Sequence, residues 1–204
     1  MNETRGLLVV VSGPSGVGKG TIMRPFMERN KNVKYSVSAT TRAPREGEID
    51  GVNYHFVTRE QFEKLIENDE MLEWARYGGN YYGTPRFAVE RGLAAGLDVV
   101  LEIEVKGAQQ VRRRCPEAVS VFIMPPSFEE LSNRLHGRNT ESEEKIMERL
   151  DIARSEMQLA YDYDFVLVND DVDEAVRRLE VILEAAKALP KFMKDFIDEV
   201  NNNA

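Results

Sequence analysis

The chain has 204 residues but only one cysteine (Cys115), two histidines (His55 and His136) and one tryptophan (Trp74). A single thiol cannot form an internal disulfide, which suits a reducing compartment and makes Cys115 a small structural residue. Two histidines are too few for a histidine-rich metal site, and no serine–histidine or cysteine–histidine arrangement for nucleophilic catalysis is present. No apolar run approaches the ~20 residues that cross a bilayer. The opening Met1-Asn2-Glu3-Thr4-Arg5 lacks the basic and apolar regions of a signal peptide, so a cytoplasmic protein without membrane association is expected. Positive charge is also in deficit, with 27 bases against 35 acids and a net charge of −8, opposite to the balance of a generic nucleic-acid binder. The local exception, Arg112-Arg113-Arg114, reads as a solvated helix end whose charge complements the helix dipole. What remains is ordinary globular composition, 42% hydrophobic and 30% charged, at a length that buries a substantial core in one domain.

The most informative segment that is present is Gly13-Pro14-Ser15-Gly16-Val17-Gly18-Lys19-Gly20-Thr21. It follows Leu7–Ser12, an apolar run that reads as a buried strand, and precedes a helical segment reaching Asn30. In that context a glycine-rich string is a phosphate-binding loop. Glycines let successive backbone N–H groups turn inward on an anion. The helix adds its free N–H groups and its positive dipole end, and Lys19 supplies a full charge for the outer phosphates. The pattern calls for Ser or Thr directly after the lysine as a magnesium ligand, and Gly20 stands there instead, with Thr21 next. Water, Thr21 and acids elsewhere are therefore expected to hold the metal.

Beyond the loop, apolar strands alternate with helices. Strands are expected at Leu97–Glu104, Val119–Met124 and Phe165–Val168, and helices at Gly107–Arg114, after a Ser127 cap, and at Val172–Leu189. This alternation predicts an α/β fold, a parallel sheet covered by helices on both faces. Two regions break the rhythm. Residues 35–83, rich in turns and aromatics with a helix near Gln61–Asn68, read as an inserted lobe; the polar, charged stretch 136–156 reads as a mobile flap. Glu102 and Glu104, two apart near the end of an apolar strand, are expected on one face.

GPSGVGKGT at 13–21, SVSATTRAPREGEIDGVNYHF at 36–56 and EWARYGGNYYGT at 73–84, supported by LEIEVKGAQQVR at 101–112 and VNDD at 168–171, together resemble the guanylate kinase family over nearly the whole chain. The resemblance implies a three-layer P-loop NTPase fold with a parallel sheet. Its core would be residues 1–34, 85–134 and 157–204, with a GMP-binding lobe at 35–84 and a mobile lid at 135–156 in a single domain, 1–204. It implies transfer of the γ-phosphoryl group of ATP to GMP, giving ADP and GDP, with Mg2+, in purine nucleotide metabolism, and no nucleic-acid, membrane or obligate protein partner.

The matching positions imply roles. Arg42 and Arg45 would grip the GMP phosphate through bidentate hydrogen bonds, aided by the phenols of Tyr54 and Tyr82. Ser38, Glu73, Thr84 and Glu104 would read the base, because guanine offers two donors, N1–H and the N2 amino group, that one carboxylate can accept. The family carries Asp where Glu104 stands and often Gln at Lys106. Glu102 would face magnesium through water. On the ATP side, residues 13–21 would cradle the phosphates, Arg134 would stack on adenine, Asn169 would contact it, and Arg138 and Arg149 would close over the phosphates. Lys19, Arg42, Arg138 and Arg149 are thus the expected catalytic set. GKGT is common among nucleoside monophosphate kinases, so Gly20 reads as a variant of that group. Two other readings stay open: another nucleoside monophosphate kinase, against which the set Ser38, Glu73 and Thr84 argues, and a non-catalytic interaction domain of the same likeness, against which Lys19 and the lid arginines argue.

Overall fold

A computed structural model describes residues 5–137 and 142–202. The first strand, β1 (Leu8–Ser12), is buried at all five residues, as a strand covered on both faces must be. It leads through the glycine-rich loop into α1 (Lys19–Arg29). Then come β2 (Val33–Tyr35), β3 (Ala39–Thr40), β4 (His55–Phe56), α2 (Arg59–Glu67), β5 (Met71–Tyr77), β6 (Asn80–Pro85), α3 (Arg86–Ala94), β7 (Asp98–Glu102), α4 (Val105–Arg114), β8 (Val119–Met124), α5 (Phe128–His136), α6 (Glu143–Gln158), β9 (Phe165–Val168), α7 (Val172–Lys187) and α8 (Lys194–Asn202). A parallel five-stranded sheet runs in the order β2-β7-β1-β8-β9, and a separate four-stranded sheet in the order β4-β3-β6-β5.

The chain divides into two compact units, residues 1–10 with 32–118, and residues 11–31 with 119–204. The first holds the small sheet. Its β5–β6 hairpin closes at Gly78-Gly79, both left-handed (φ 56° and 82°), which is the backbone a two-residue turn between twisted strands requires. Its core is Ala39, Phe62 and Met71, closed over by Val57, Leu65, Ile66, Trp74 and Tyr81. Phe62, from α2, stacks on Tyr81 of β6 with ring centroids 5.2 Å apart. A capping box starts α2: Gln61 N donates to the Thr58 hydroxyl, and Thr58 N donates to the Gln61 side chain. In the second unit α1 and α7 pack together, and the Asn30 amide ends α1 by donating to Phe26 O and to Glu180.

Strands β8 and β9 lie where the sequence places them. Elsewhere boundaries move. The strand expected to reach Glu104 stops at Glu102, and α4 begins at Val105 rather than near Gly107. Glu104 caps that helix, its carbonyl accepting from Ala108 N at 2.9 Å, so Glu102 and Glu104 do not share a strand face. The short β2 and helices α3 and α8 carry no sequence expectation; β2 includes Tyr35 and pairs with β7, so the strand pairing of the larger sheet extends to the residue where the inserted lobe was expected to begin. No helix among the described residues is long and apolar enough to cross a membrane.

Phe62 is fully buried, so Phe62→Ala removes both its transfer energy and its stacking partner. Denaturant unfolding should show a loss of about 3–5 kcal/mol. A loss below about 1 kcal/mol would mean that this aromatic layer does not hold the lobe.

Candidate active site

The phosphate loop lies in the second unit. Gly18 sits at φ 93° as the N-cap of α1, and a Cβ there would come within 2.5 Å of the Asn169 amide nitrogen. That approach exists because Asn169 Nδ2 donates to the Val17 carbonyl at 2.7 Å. The same carbonyl accepts from Arg134 Nη1 at 3.2 Å, while Arg134 Nη2 donates to Asn169 O at 3.0 Å and Nε to Glu130 at 2.8 Å. Arg134 is thereby pinned along its edges, a geometry that leaves a guanidinium plane for stacking. Val17 itself is fully buried, so its side chain anchors the loop from below while its carbonyl is held from above. Lys19 Nζ donates to Gly13 O at 2.6 Å and Pro14 O at 3.3 Å, curling over the loop that it is expected to serve. Arg149, from α6, donates through Nη2 to the Ser15 hydroxyl at 2.7 Å, which brings onto the loop an arginine expected to close over it. Arg138 lies outside the described residues.

The second candidate half lies wholly in the first unit. Glu73 of β5 and Thr84 of β6 are register partners, and the Thr84 hydroxyl donates to Glu73 Oε1 at 2.7 Å. Glu73 is 7% exposed; burial pushes its carboxyl up from the ordinary glutamate value, against the Thr84 bonds that favour its charge, with the Glu104 charge adding to the rise. Gly107 of α4 passes the other oxygen so closely that a Cβ would sit 2.9 Å from Oε2. The helix is held there by Gln110, which accepts from Trp74 N at 3.2 Å and donates to Trp74 O at 3.0 Å, completing the strand's backbone bonding like a neighbouring strand.

The candidate phosphate grip lies in the same unit. The Arg42 guanidinium stands 5.6 Å from the Tyr54 ring centroid and 5.8 Å from that of Phe56. Tyr54 and Tyr82 meet edge to face at 6.3 Å. Glu48 takes Arg42 in a bidentate pair, at 3.0 Å from Nη1 and 2.9 Å from Nη2, and accepts from Arg45 N at 2.6 Å. These contacts hold the Glu48 carboxyl below the usual range, the Arg42 bond first and the Arg45 amide second. Ser38 lies beside β3, its carbonyl accepting from His55 N at 2.8 Å. Arg45 is exposed on the loop below.

Glu48, Phe56 and Gln110 carry this geometry without having been singled out from the sequence, although Glu48 stands within the quoted motif six residues after Arg42. Trp74 and Tyr81 pack edge to face at 5.7 Å. Cys115 is buried and its thiol is pushed up by that burial, in keeping with a structural role.

For the metal, Glu102 Oε2 accepts from the Tyr35 hydroxyl at 3.2 Å, and Thr21 lies exposed in the first turn of α1. No group of three His, Cys, Asp or Glu among the described residues could hold an ion alone. Each side chain by itself is an oxygen ligand of the kind magnesium takes, since that ion keeps most of its water and arrives on substrate phosphates.

A parallel sheet whose first strand runs into such a loop, with a lysine opening the next helix, defines a P-loop nucleotide-binding protein. The family model described as guanylate kinase matches residues 5–186. The chain is 53% identical to the guanylate kinase of Desulfitobacterium hafniense over 94% of its length and 96% of the relative's, and 54% identical to that of Halalkalibacterium halodurans over 91% of each. It is similar in structure to the guanylate kinase of Anaplasma phagocytophilum, with a TM-score of 0.68 and 36% identity over 94% of this chain and 95% of that one. The chain belongs to the guanylate kinase family.

The raised Glu73 carboxyl has a consequence for stability. A folded-state value above the unfolded one adds stability that is complete below the ordinary glutamate value, 4.5, and is lost as pH rises through the folded value. Glu73→Gln removes that loss. Without nucleotide, thermal melts should show the variant more stable than the parent at pH 7, with the difference closing as pH falls to about 4. A variant less stable than the parent at pH 7 would show the buried charge to be fully compensated.

Proposed function

We propose that the two halves carry out transfer of the γ-phosphoryl group of ATP to GMP, giving ADP and GDP, with residues 13–21 as the ATP phosphate cradle and the Glu73–Thr84 pair as the guanine reader. The observation that carries this reading is the buried carboxylate of Glu73, whose Oε1 takes one hydroxyl and whose Oε2 lies at a position kept open by a glycine. A carboxylate so placed accepts two donors on one edge of a base, which guanine supplies and adenine does not. Adenine would leave it buried and unpaired, worth about 2–3 kcal/mol of discrimination or more. Ser38 and Glu104 complete the base side.

Arg42, Arg45, Tyr54 and Tyr82 hold the GMP phosphate. That phosphate is already anionic and already a nucleophile, so no general base is needed. Catalysis rests on alignment and on charge placed where the moving phosphoryl group spreads its own. Lys19 leaves the Gly13 carbonyl for the outer phosphates and follows the transferring group. Arg149, drawn to Ser15 on the loop, and Arg138 neutralise charge from the lid side and exclude water. Arg134 stacks on adenine, while Asn169 acts on the nucleotide through the loop that it holds. The divalent ion is Mg2+ in this reading; Thr21 would serve as a ligand, Glu102 would act through water, and the ion would supply charge neutralisation on the phosphates.

The division of labour is a core of residues 1–34, 85–134 and 157–204, a GMP lobe of 35–84 and a lid of 135–156. The reaction places the chain in purine nucleotide metabolism, in the cytoplasm. Two substrates, ATP and GMP, are its partners.

A coupled assay across GMP, AMP, CMP and UMP tests the base reading: GMP should lead AMP by at least about 100-fold in kcat/KM. Preference for AMP would overturn it. Lys19→Ala should lower kcat by about 1,000-fold with an unchanged melting curve, and near-normal turnover would sink the mechanism.

A further inference from the structure

We infer that Glu48 is a positioning residue for the GMP phosphate: one carboxylate that sets the orientation of the Arg42 guanidinium and ties it to the Arg45 backbone. This rests on the reading of Arg42 and Arg45 as the phosphate grip.

The argument starts from donor arithmetic. A guanidinium has five N–H bonds, two on Nη1, two on Nη2 and one on Nε. In this loop Nη1 gives one to Ala43 O at 2.7 Å and one to Glu48 Oε2 at 3.0 Å, and Nη2 gives one to Glu48 Oε1 at 2.9 Å. The end of the fork is therefore consumed by the protein itself. Nε and the second Nη2 hydrogen remain, and these two form the side edge, which is itself a bidentate grip. Tyr82, expected on the phosphate, lies edge to face with Tyr54 at 6.3 Å, and the Tyr54 ring flanks the same guanidinium.

The carboxylate is itself tightly placed. Glu48 N donates to Arg45 O at 3.0 Å, closing a reverse turn through Gly47, and Glu48 Oε2 accepts back from Arg45 N at 2.6 Å. The side chains of Arg42 and Glu48 are 16% and 19% exposed, well covered for a loop ion pair. The Tyr54 and Phe56 rings flank the guanidinium and limit its tilt. A long, mobile side chain is thus ordered before any ligand arrives, which lowers the entropy lost on binding.

Charge alone argues the other way. Glu48 cancels one of the two positive charges facing a phosphate dianion, so a residue present only for electrostatics would weaken the site. The two accounts predict opposite signs.

Glu48→Gln keeps the size and one acceptor but sets an N–H2 against the arginine donors. Steady-state kinetics should show KM for GMP rising about 10- to 100-fold, kcat falling less, and KM for ATP within about threefold of the parent. Guanosine, which lacks the phosphate, should bind the variant as it binds the parent in calorimetry. An unchanged or lower KM for GMP would overturn the inference, and so would loss of guanosine binding, which would make Glu48 a support of the lobe as a whole. Arg42→Ala run alongside separates the two levels. If it leaves KM for GMP unchanged, the phosphate-grip reading itself fails; if it raises KM while Glu48→Gln does not, only the role of Glu48 fails.

Discussion

The carbonyl oxygen of Val17 is the point on which the nucleotide loop depends. It lies in the middle of a turn whose backbone must present N–H groups to an anion, so it cannot be satisfied by regular secondary structure. Two donors meet it instead, the Asn169 amide and the Arg134 guanidinium, and Arg134 goes on to bind the Asn169 carbonyl. Asn169 is tied in turn to the end of β8 through its own N–H to Met124 O at 2.8 Å. The loop thus takes its shape from α5 and from the end of β9. The same contacts require glycine at position 18, where any side chain would meet the amide that holds the loop. A glycine-rich segment becomes a fixed cradle because the Val17 carbonyl is held by two donors.

The Glu73–Thr84 pair, proposed to read the base, is built on the opposite choice. There a carboxylate is buried with fewer partners than it can accept. Thr84 satisfies one oxygen, and burial raises the carboxyl. An unliganded fold gains nothing from such a group, since desolvating a charge is costly unless donors meet it. The cost makes sense when the missing donors belong to a ligand, because discrimination comes from leaving the wrong base unable to supply them. Gln110 and Gly107 support the arrangement, the first fastening α4 to β5 beside Glu73, the second keeping the helix from filling the space.

Much of this was legible along the chain, for physical reasons. Strands β1, β8 and β9 are apolar runs of strand length, so periodicity finds them. The loop, Arg42, Arg45, Glu73 and Thr84 stand in dense local patterns. Other parts were not legible. Helix α3 is too short and weakly patterned to announce itself, and α8 buries none of its residues, so no core demand marks it. The switch from strand to helix at Glu104 hid inside a segment that reads as a continuing alternation, because a helix start there is decided by backbone bonds and not by polarity. Glu48 was in view as a letter of a motif, yet its bidentate hold on Arg42 depends on a turn that places the two side chains face to face.

By itself the sequence determined the alternation of strands and helices, the strand–loop–helix order of the phosphate cradle and the family, because each of these is written in local spacing or in contiguous motifs. The tertiary structure alone decided what holds the loop, what orients Arg42 and how far Glu73 is removed from water. Those are properties of pairs that the fold brings face to face: Arg42 with Glu48, Val17 with Asn169, Ser15 with Arg149, Trp74 with Gln110. A hydrogen bond of useful strength needs its partners within about 3 Å and in line, and no spacing in a sequence specifies that. The nine-residue loop announces that phosphate binds here; the fold around it decides how firmly, and in which orientation, its groups are presented.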